Sequence, residues 1–361
     1  MKLASVVFAS LISAIAAAPL PDGLYAEVTT PRGQVTAELF HRQAPLTVAN
    51  YVGLAEGVLG PAGDGKPFFD GLSFHRVVAD FVVQGGDPTG TGSGDAGYKF
   101  PDEITPELLH RGPGVVQMAN DGPDTNGSQW CFILRPSPHL DYLHSVFGQV
   151  VEGLEILPRI EQGDVMKVKI LRVGKDAEAF RVTRESFATM VAKAKRYTGP
   201  LQPGPDAPFD DPDKLLPTDW PRAQAVTCKL ANFERFTGRR VAARVLAKIP
   251  AGEGGIGRYL TDTAERLKLG PAGVLAVYCA DEDRWHLIIG PEVAGIPADQ
   301  RAETETRLLT QARKLQEEMT AASLKRLPPG QIELAPSARV RLAVDAMLDR
   351  LLAGLAAPRK S

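Results

Sequence analysis

The sequence predicts a mainly β chain, in which a closed antiparallel barrel is followed by a smaller α/β domain. Three features carry that expectation. Residues 23–174 are rich in glycine and in short alternating apolar runs with few helical patterns, which suits a barrel better than a doubly wound sheet. Seven prolines between Gly199 and Pro221, without sustained periodicity, mark a semi-rigid linker. Beyond them, strand-like and helix-like runs alternate. At 361 residues the chain is also longer than a single core usually supports.

Taken in order, residues 1–18 are a separate object. Met1-Lys2 gives a basic end, Leu3 to Ala18 is apolar apart from small serines, and the run closes in small residues before Pro19. This is the pattern of an export signal cleaved near Ala16 or Ala18, and the run is short for a membrane anchor. The mature chain is therefore expected in the periplasm or outside the cell. Residues 24–29 and 34–39 flank Thr30-Pro31-Arg32-Gly33 as a hairpin, and Pro45 opens a helix with Leu46, Ala49, Val52 and Leu54 on its apolar side. Further strands are expected at 72–77, 81–84, 115–119, 129–134, 146–150 and 168–173. These elements place a first domain at 23–180, a connecting helix within 181–198, the linker at 199–221 and the α/β domain at 222–361. In the last, strands are expected at 241–249, 273–279 and 285–289 and a helix at 256–267. Two closing helices carry Leu308, Ala312, Leu315, Met319 and Ala322, then 340–355.

Composition excludes several functions. A formal charge of −2 with no concentrated basic patch speaks against a nucleic-acid-binding protein. Cys131, Cys228 and Cys279 lack metal-site spacing and are too few for a disulfide framework; one bridge plus a free thiol, or three buried thiols, both fit. The glycine run Gly85 to Gly94 has no Walker lysine and no Rossmann setting, and Ser73 beside His75 has no nucleophile-elbow context. What stands out is a cation, an aromatic and an amide within nine residues (Arg76, Phe81 and Gln84), followed by Met118 to Gln129, MANDGPDTNGSQ.

These motifs resemble the cyclophilin-type peptidyl-prolyl isomerases over residues 24–174. The resemblance is carried by Leu46 to Tyr51, FHR…F..QGGD from Phe74, Gly97 to Glu103, MAN.GP.TNGSQ and His144 to Gly148. It implies an eight-stranded antiparallel barrel capped by two helices, and a reaction that needs no nucleophile, metal or cofactor. Turning an X-Pro bond breaks amide resonance, so catalysis means binding the twisted bond better than either planar isomer. By that resemblance Arg76 donates to the prolyl nitrogen, Gln84 holds substrate backbone and orients Arg76, and the Asn120 backbone pins the residue before proline. The proline cup falls on Phe81, Val82, Cys131, Leu140 and His144. Ala119 and Gln129 line the adjoining groove beside His75, and His139, where some relatives carry Trp, implies weak binding of cyclosporin.

Two departures stand out. Cys131 and Val82 are smaller than the residues usual at those places, which predicts a wider, weaker cup; alternation along the strand sends Gln129, Cys131 and Ile133 to one side and Trp130 and Phe132 to the other. A semi-exposed Cys131 would also allow a redox role. Tyr142 stands where relatives commonly place glycine. Residues 228–293 resemble, more faintly, the TPM domain of some exported bacterial proteins, although Asp281, Asp283 and Glu292 read as turn and surface groups rather than metal ligands. The leading expectation is an exported isomerase acting on flexible X-Pro segments and assisting their folding, with a C-terminal domain that engages a protein partner. The alternatives are a catalytically weak proline-peptide binding module and an exported assembly protein.

Overall fold

The computed structural model describes residues 19–61, 65–217, 222–249 and 254–356; the export-signal segment lies outside them. The first domain opens with the expected hairpin, β1 (Gly23–Thr30) against β2 (Gly33–Leu39), with Val28 opposite Val35. Pro45 then starts α1 (Pro45–Ala55), and every residue from Leu46 to Ala55 is buried. The ring of Tyr51 explains how the helix is held: it meets Phe69, Trp130 and Phe147 at centroid distances of 5.0, 5.4 and 5.2 Å. Four short strands follow, β3 (Arg76–Val78), β4 (Val82–Gly85), β5 (Val115–Met118) and β6 (Trp130–Ile133). Two longer ones, β7 (Val146–Glu152) and β8 (Lys167–Val173), complete a sheet of order β3-β4-β6-β5-β7-β2-β1-β8.

That sheet corrects the expectation of a closed, mainly β barrel. It is an open, curled half-barrel whose edges stand 17 Å apart, and the described residues are 34% helix against 21% strand. Closure needs an unbroken hydrogen-bond ladder around the circumference. Here β3 is three residues long and ends in a turn at Asp80, with φ +56°. Only the segments leading into the two edge strands meet, where Phe74 N–H donates to Asp164 C=O at 2.9 Å and Met166 N–H to Leu72 C=O at 2.9 Å. After Phe74 the chain leaves that contact and carries Arg76 outward.

The short α2 (Lys175–Ala179) leads to α3 (Arg184–Lys193), the expected connecting helix, started by a reciprocal cap between Thr183 and Ser186. Within the proline-rich stretch, β9 (Phe209–Asp210) joins the second sheet, and Phe209 is fully buried. The prolines remove backbone donors and leave carbonyls to be satisfied. Arg244, itself wholly buried, donates to Pro205, Ala207 and Pro208 C=O at 3.1, 2.9 and 3.2 Å and so ties this stretch down.

Then come α4 (Arg222–Thr237), β10 (Val241–Leu246), α5 (Gly255–Arg266), β11 (Val274–Cys279) and β12 (Arg284–Ile289). The second sheet runs β12-β11-β10-β9 with β10 parallel to both neighbours. Two long helices, α6 (Arg301–Leu324) and α7 (Pro336–Ala356), end the described chain, α7 burying its Val340, Val344, Met347 and Leu351. The helix α4 escaped the sequence reading, although Val226, Leu230 and Phe233 keep helical spacing. It is buried on two sides, with Val226, Leu230 and Phe233 in the second domain's core and Lys229 and Asn232 turned to the first domain. Among the described residues no helix is long and apolar enough to cross a membrane. All three cysteines are free and buried.

Candidate active site

Strand alternation sorts β6 as its sequence requires. Trp130 and Phe132 enter the aromatic core, their rings 4.9 Å apart, while Cys131 and Ile133 join Val82, Val115 and Val146 in a small apolar cluster on the opposite face. Phe81, Ala119 and Leu140 pack over that cluster half-buried. Five of the expected residues (Phe81, Val82, Ala119, Cys131 and Leu140) thus form one apolar patch.

The polar edge lies on the neighbouring strands. Register places Arg76 opposite Gln84 and Gln84 opposite Cys131. The exposed Arg76 guanidinium donates to Gln84 Oε1 at 3.1 Å, and Gln84 Nε2 donates to Gln129 Oε1 at 2.8 Å. Gln129 Nε2 closes the chain on Gly92 and Gly94 C=O at 2.8 and 2.9 Å. The glycine run therefore serves this relay. Its anchor is Asp87: burial raises the carboxyl, but donors from Thr89, Gly92 and Gly94 overcome that and hold it at about 2. Gly86 is required here, since at φ +85° a Cβ would stand 2.3 Å from Ser128 C=O. His75 is half-buried beside Gly92, and burial holds its imidazole below the ordinary range.

The far rim is the single 3-10 turn Pro138–Leu140 and the residues after it. His139 stacks on Phe81 with centroids 5.8 Å apart, and Arg135 lies over the same ring at 5.8 Å. His144 Nδ1 donates to Met118 C=O at 3.1 Å, and burial pushes its pKa down to about 4, so the ring is neutral. Asn120 uses its side chain within the loop, donating to Leu143 C=O at 2.9 Å and accepting from Gly122 N–H at 3.3 Å. Among the described residues its own backbone N–H and C=O make no backbone hydrogen bond.

Cys131 is not semi-exposed. Only 2% of it is accessible, and burial pushes its thiol up to about 12, which removes the thiolate a redox role requires. Behind it runs a buried polar group that no spacing announced. His110 Nδ1 and backbone N–H both donate to Asp141 Oδ1 at 2.8 Å, and His110 Nε2 meets Gln117, the register partner of Cys131.

In the second domain Asp283 accepts from Tyr278 Oη at 2.6 Å and Gln316 Nε2 at 3.0 Å and pairs with Arg313, a turn anchor. Among the described residues no three His, Cys, Asp or Glu side chains converge for a metal.

The arrangement is an apolar patch edged by an oriented guanidinium, and comparison with known proteins gives the family. Residues 25–175 match the family described as cyclophilin type peptidyl-prolyl cis-trans isomerase/CLD. Peptidyl-prolyl cis-trans isomerase A of Mycobacterium tuberculosis is 48% identical over 137 residues, covering 36% of this chain and 74% of that protein. Peptidyl-prolyl cis-trans isomerase CYP18-2 of Arabidopsis thaliana is 43% identical over 164 residues, covering 42% and 94%. Peptidyl-prolyl cis-trans isomerase ppi1 of Schizosaccharomyces pombe is 45% identical over 137 residues, covering 37% and 83%. The chain belongs to the cyclophilin-type peptidyl-prolyl cis-trans isomerases and acts on X-Pro bonds of polypeptides.

Proposed function

We propose that Arg76 carries the reaction, turning the patch from a proline-binding surface into an isomerase site. As the X-Pro bond twists, resonance is lost and a lone pair appears on the prolyl nitrogen, and a fixed donor stabilises that state more than either planar one. Arginine fits because its charge is permanent and its donors form a rigid fork. The single observation that supports this is the relay Arg76–Gln84–Gln129, which aims the guanidinium from the edge of the cup. In this reading the Asn120 backbone holds the residue before proline, and Phe81, Val82, Leu140 and the neutral His144 enclose the ring above the buried Cys131. His139, stacked on Phe81, makes cyclosporin a weak ligand. The clients are X-Pro segments of exported proteins whose slow isomerisation limits folding, the second domain engaging a partner; residues 1–18 support the export.

The test is cis-to-trans turnover of short X-Pro peptides by the full chain and by Arg76→Ala, with peptide affinity measured beside it. Turnover falls about 100-fold or more, the usual loss of one positioned transition-state donor, while affinity falls far less. Retained turnover without Arg76 overturns the assignment.

A further inference from the structure

The segment 138–143 forms one rim of the groove, and two of its backbone carbonyls are held from the second domain. Lys229 of α4 is only 5% exposed and donates its Nζ to Pro138 C=O at 2.6 Å. One turn further along α4, Asn232, 1% exposed, donates Nδ2 to Tyr142 C=O at 2.9 Å. Between these two bonds lie His139, on Phe81, and Leu140, over the Cys131 cluster. The next carbonyl, that of Leu143, accepts from Asn120. Adjacent carbonyls of one turn are thus gripped from opposite sides, one by α4 and one by the loop expected to hold the substrate backbone.

Tyr142 fixes the joint. Its backbone is left-handed, with φ +63°, a conformation a non-glycine residue adopts at a cost of roughly 1–2 kcal/mol. Its side chain leaves the first domain and is 2% exposed within the second domain's core, edge-on to Phe233 at 5.0 Å and 80°. The substitution for the glycine expected at this place is therefore the anchor of a domain contact. Asp141, beside it, is bonded to His110 and lies 3.9 Å from Arg111, which in turn pairs with Asp349 of α7 at 2.9 Å.

We infer that the second domain is a working part of the isomerase site: Lys229 and Asn232 are positioning residues that clamp the rim carrying His139 and Leu140, with Tyr142 as the anchor. This rests on the assignment of that rim to the proline pocket. The rim touches the proline in planar and twisted states alike, so loosening it should weaken both equally and raise KM while sparing kcat.

The experiment uses the full chain with Lys229→Met, which keeps length and loses the donor, and Asn232→Asp, which turns an oxygen onto the Tyr142 carbonyl. Asn232→Leu replaces the latter if it does not fold. Turnover of X-Pro peptides is measured well below each variant's melting temperature, beside Leu140→Ala. The clamp predicts that each α4 variant raises KM about five- to tenfold, the scale of one lost hydrogen bond, with kcat within about twofold. A merely structural contact would lower the melting temperature and leave KM unmoved. If Leu140→Ala raises KM and the folded α4 variants do not, the clamp is wrong and the pocket stands. If Leu140→Ala leaves KM unchanged, the pocket assignment falls and the clamp with it.

Discussion

On one rim of the groove, Arg76, Gln84 and Gln129 hold one another through bonds that begin and end inside residues 76–129. On the other, residues 138–143 are held by His110 and Asn120 but also by Lys229 and Asn232, about ninety positions further along the chain. The first rim orients a charge and has its supports on adjacent strands and one loop. The second encloses a ring and borrows supports from another domain. The difference separates chemistry, which stays in local motifs, from pocket shape, which does not.

The largest effect should come from the local rim. Arg76→Lys keeps the charge but loses the rigid fork and the reach to Gln84, so turnover should fall about 100-fold, close to Arg76→Ala. If lysine restores most of the rate, charge alone suffices and the relay through Gln84 and Gln129 is incidental. Steady-state turnover with the peptides used for Arg76→Ala decides it.

The local rim was also the legible one. Arg76, Phe81, Gln84, Asn120 and Gln129 lie in two short motifs, and the alternation that separates Cys131 from Trp130 follows from strand periodicity alone. The second rim is not legible because its partners sit in α4, whose helical spacing directly follows the proline-rich stretch and is masked by it. Tyr142 was visible as a departure, but nothing local says that a ring on a left-handed residue reaches another domain's core. Sheet closure was misjudged for a related reason: sequence shows that strands are short, not that β3 turns away to expose Arg76. The helical share was underestimated with α4.

Tyr142→Gly sharpens the comparison next. Glycine relieves roughly 1–2 kcal/mol of left-handed strain, while removing a buried ring costs about 3–5 kcal/mol, for a net loss of about 1–4 kcal/mol. Denaturant unfolding should show that loss, with the rate at saturating peptide nearly intact because Arg76 is supported elsewhere. An unchanged midpoint would mean that the ring contributes no more to the domain contact than the left-handed strain it carries.

Cys131→Phe should act less. The expected wide cup is instead closed beneath, since Cys131 is 2% exposed among Val82, Ile133 and Val146 with Gln117 as its register partner. A phenyl ring there overpacks, costing about 1–3 kcal/mol of stability without improving turnover. A faster, equally stable variant would show that the space is free.

The smallest expected effect is that of pH on the pocket, and it distinguishes shape from charge. Burial holds His144 at about 4 and His139 well below its ordinary value, so His144 remains neutral from pH 5.5 to 8 and His139 is neutral around pH 7. KM should be flat around neutral pH, since neither wall of the cup changes charge there. Stability behaves differently. In the unfolded chain these histidines take up protons near the ordinary histidine value, about 6.5, whereas in the folded chain His144 binds one only near pH 4 and His139 only well below its ordinary value. Between those values the unfolded state holds more protons, so stability is full above about pH 6.5 and falls as the solution is acidified toward 4. Thermal melts should decline through that window while KM, measured on the folded chain around neutral pH, does not move. A KM that rises with an apparent pKa of 6 to 7 would mean that a histidine at the rim is charged near neutrality, and that the second rim contributes electrostatics as well as shape.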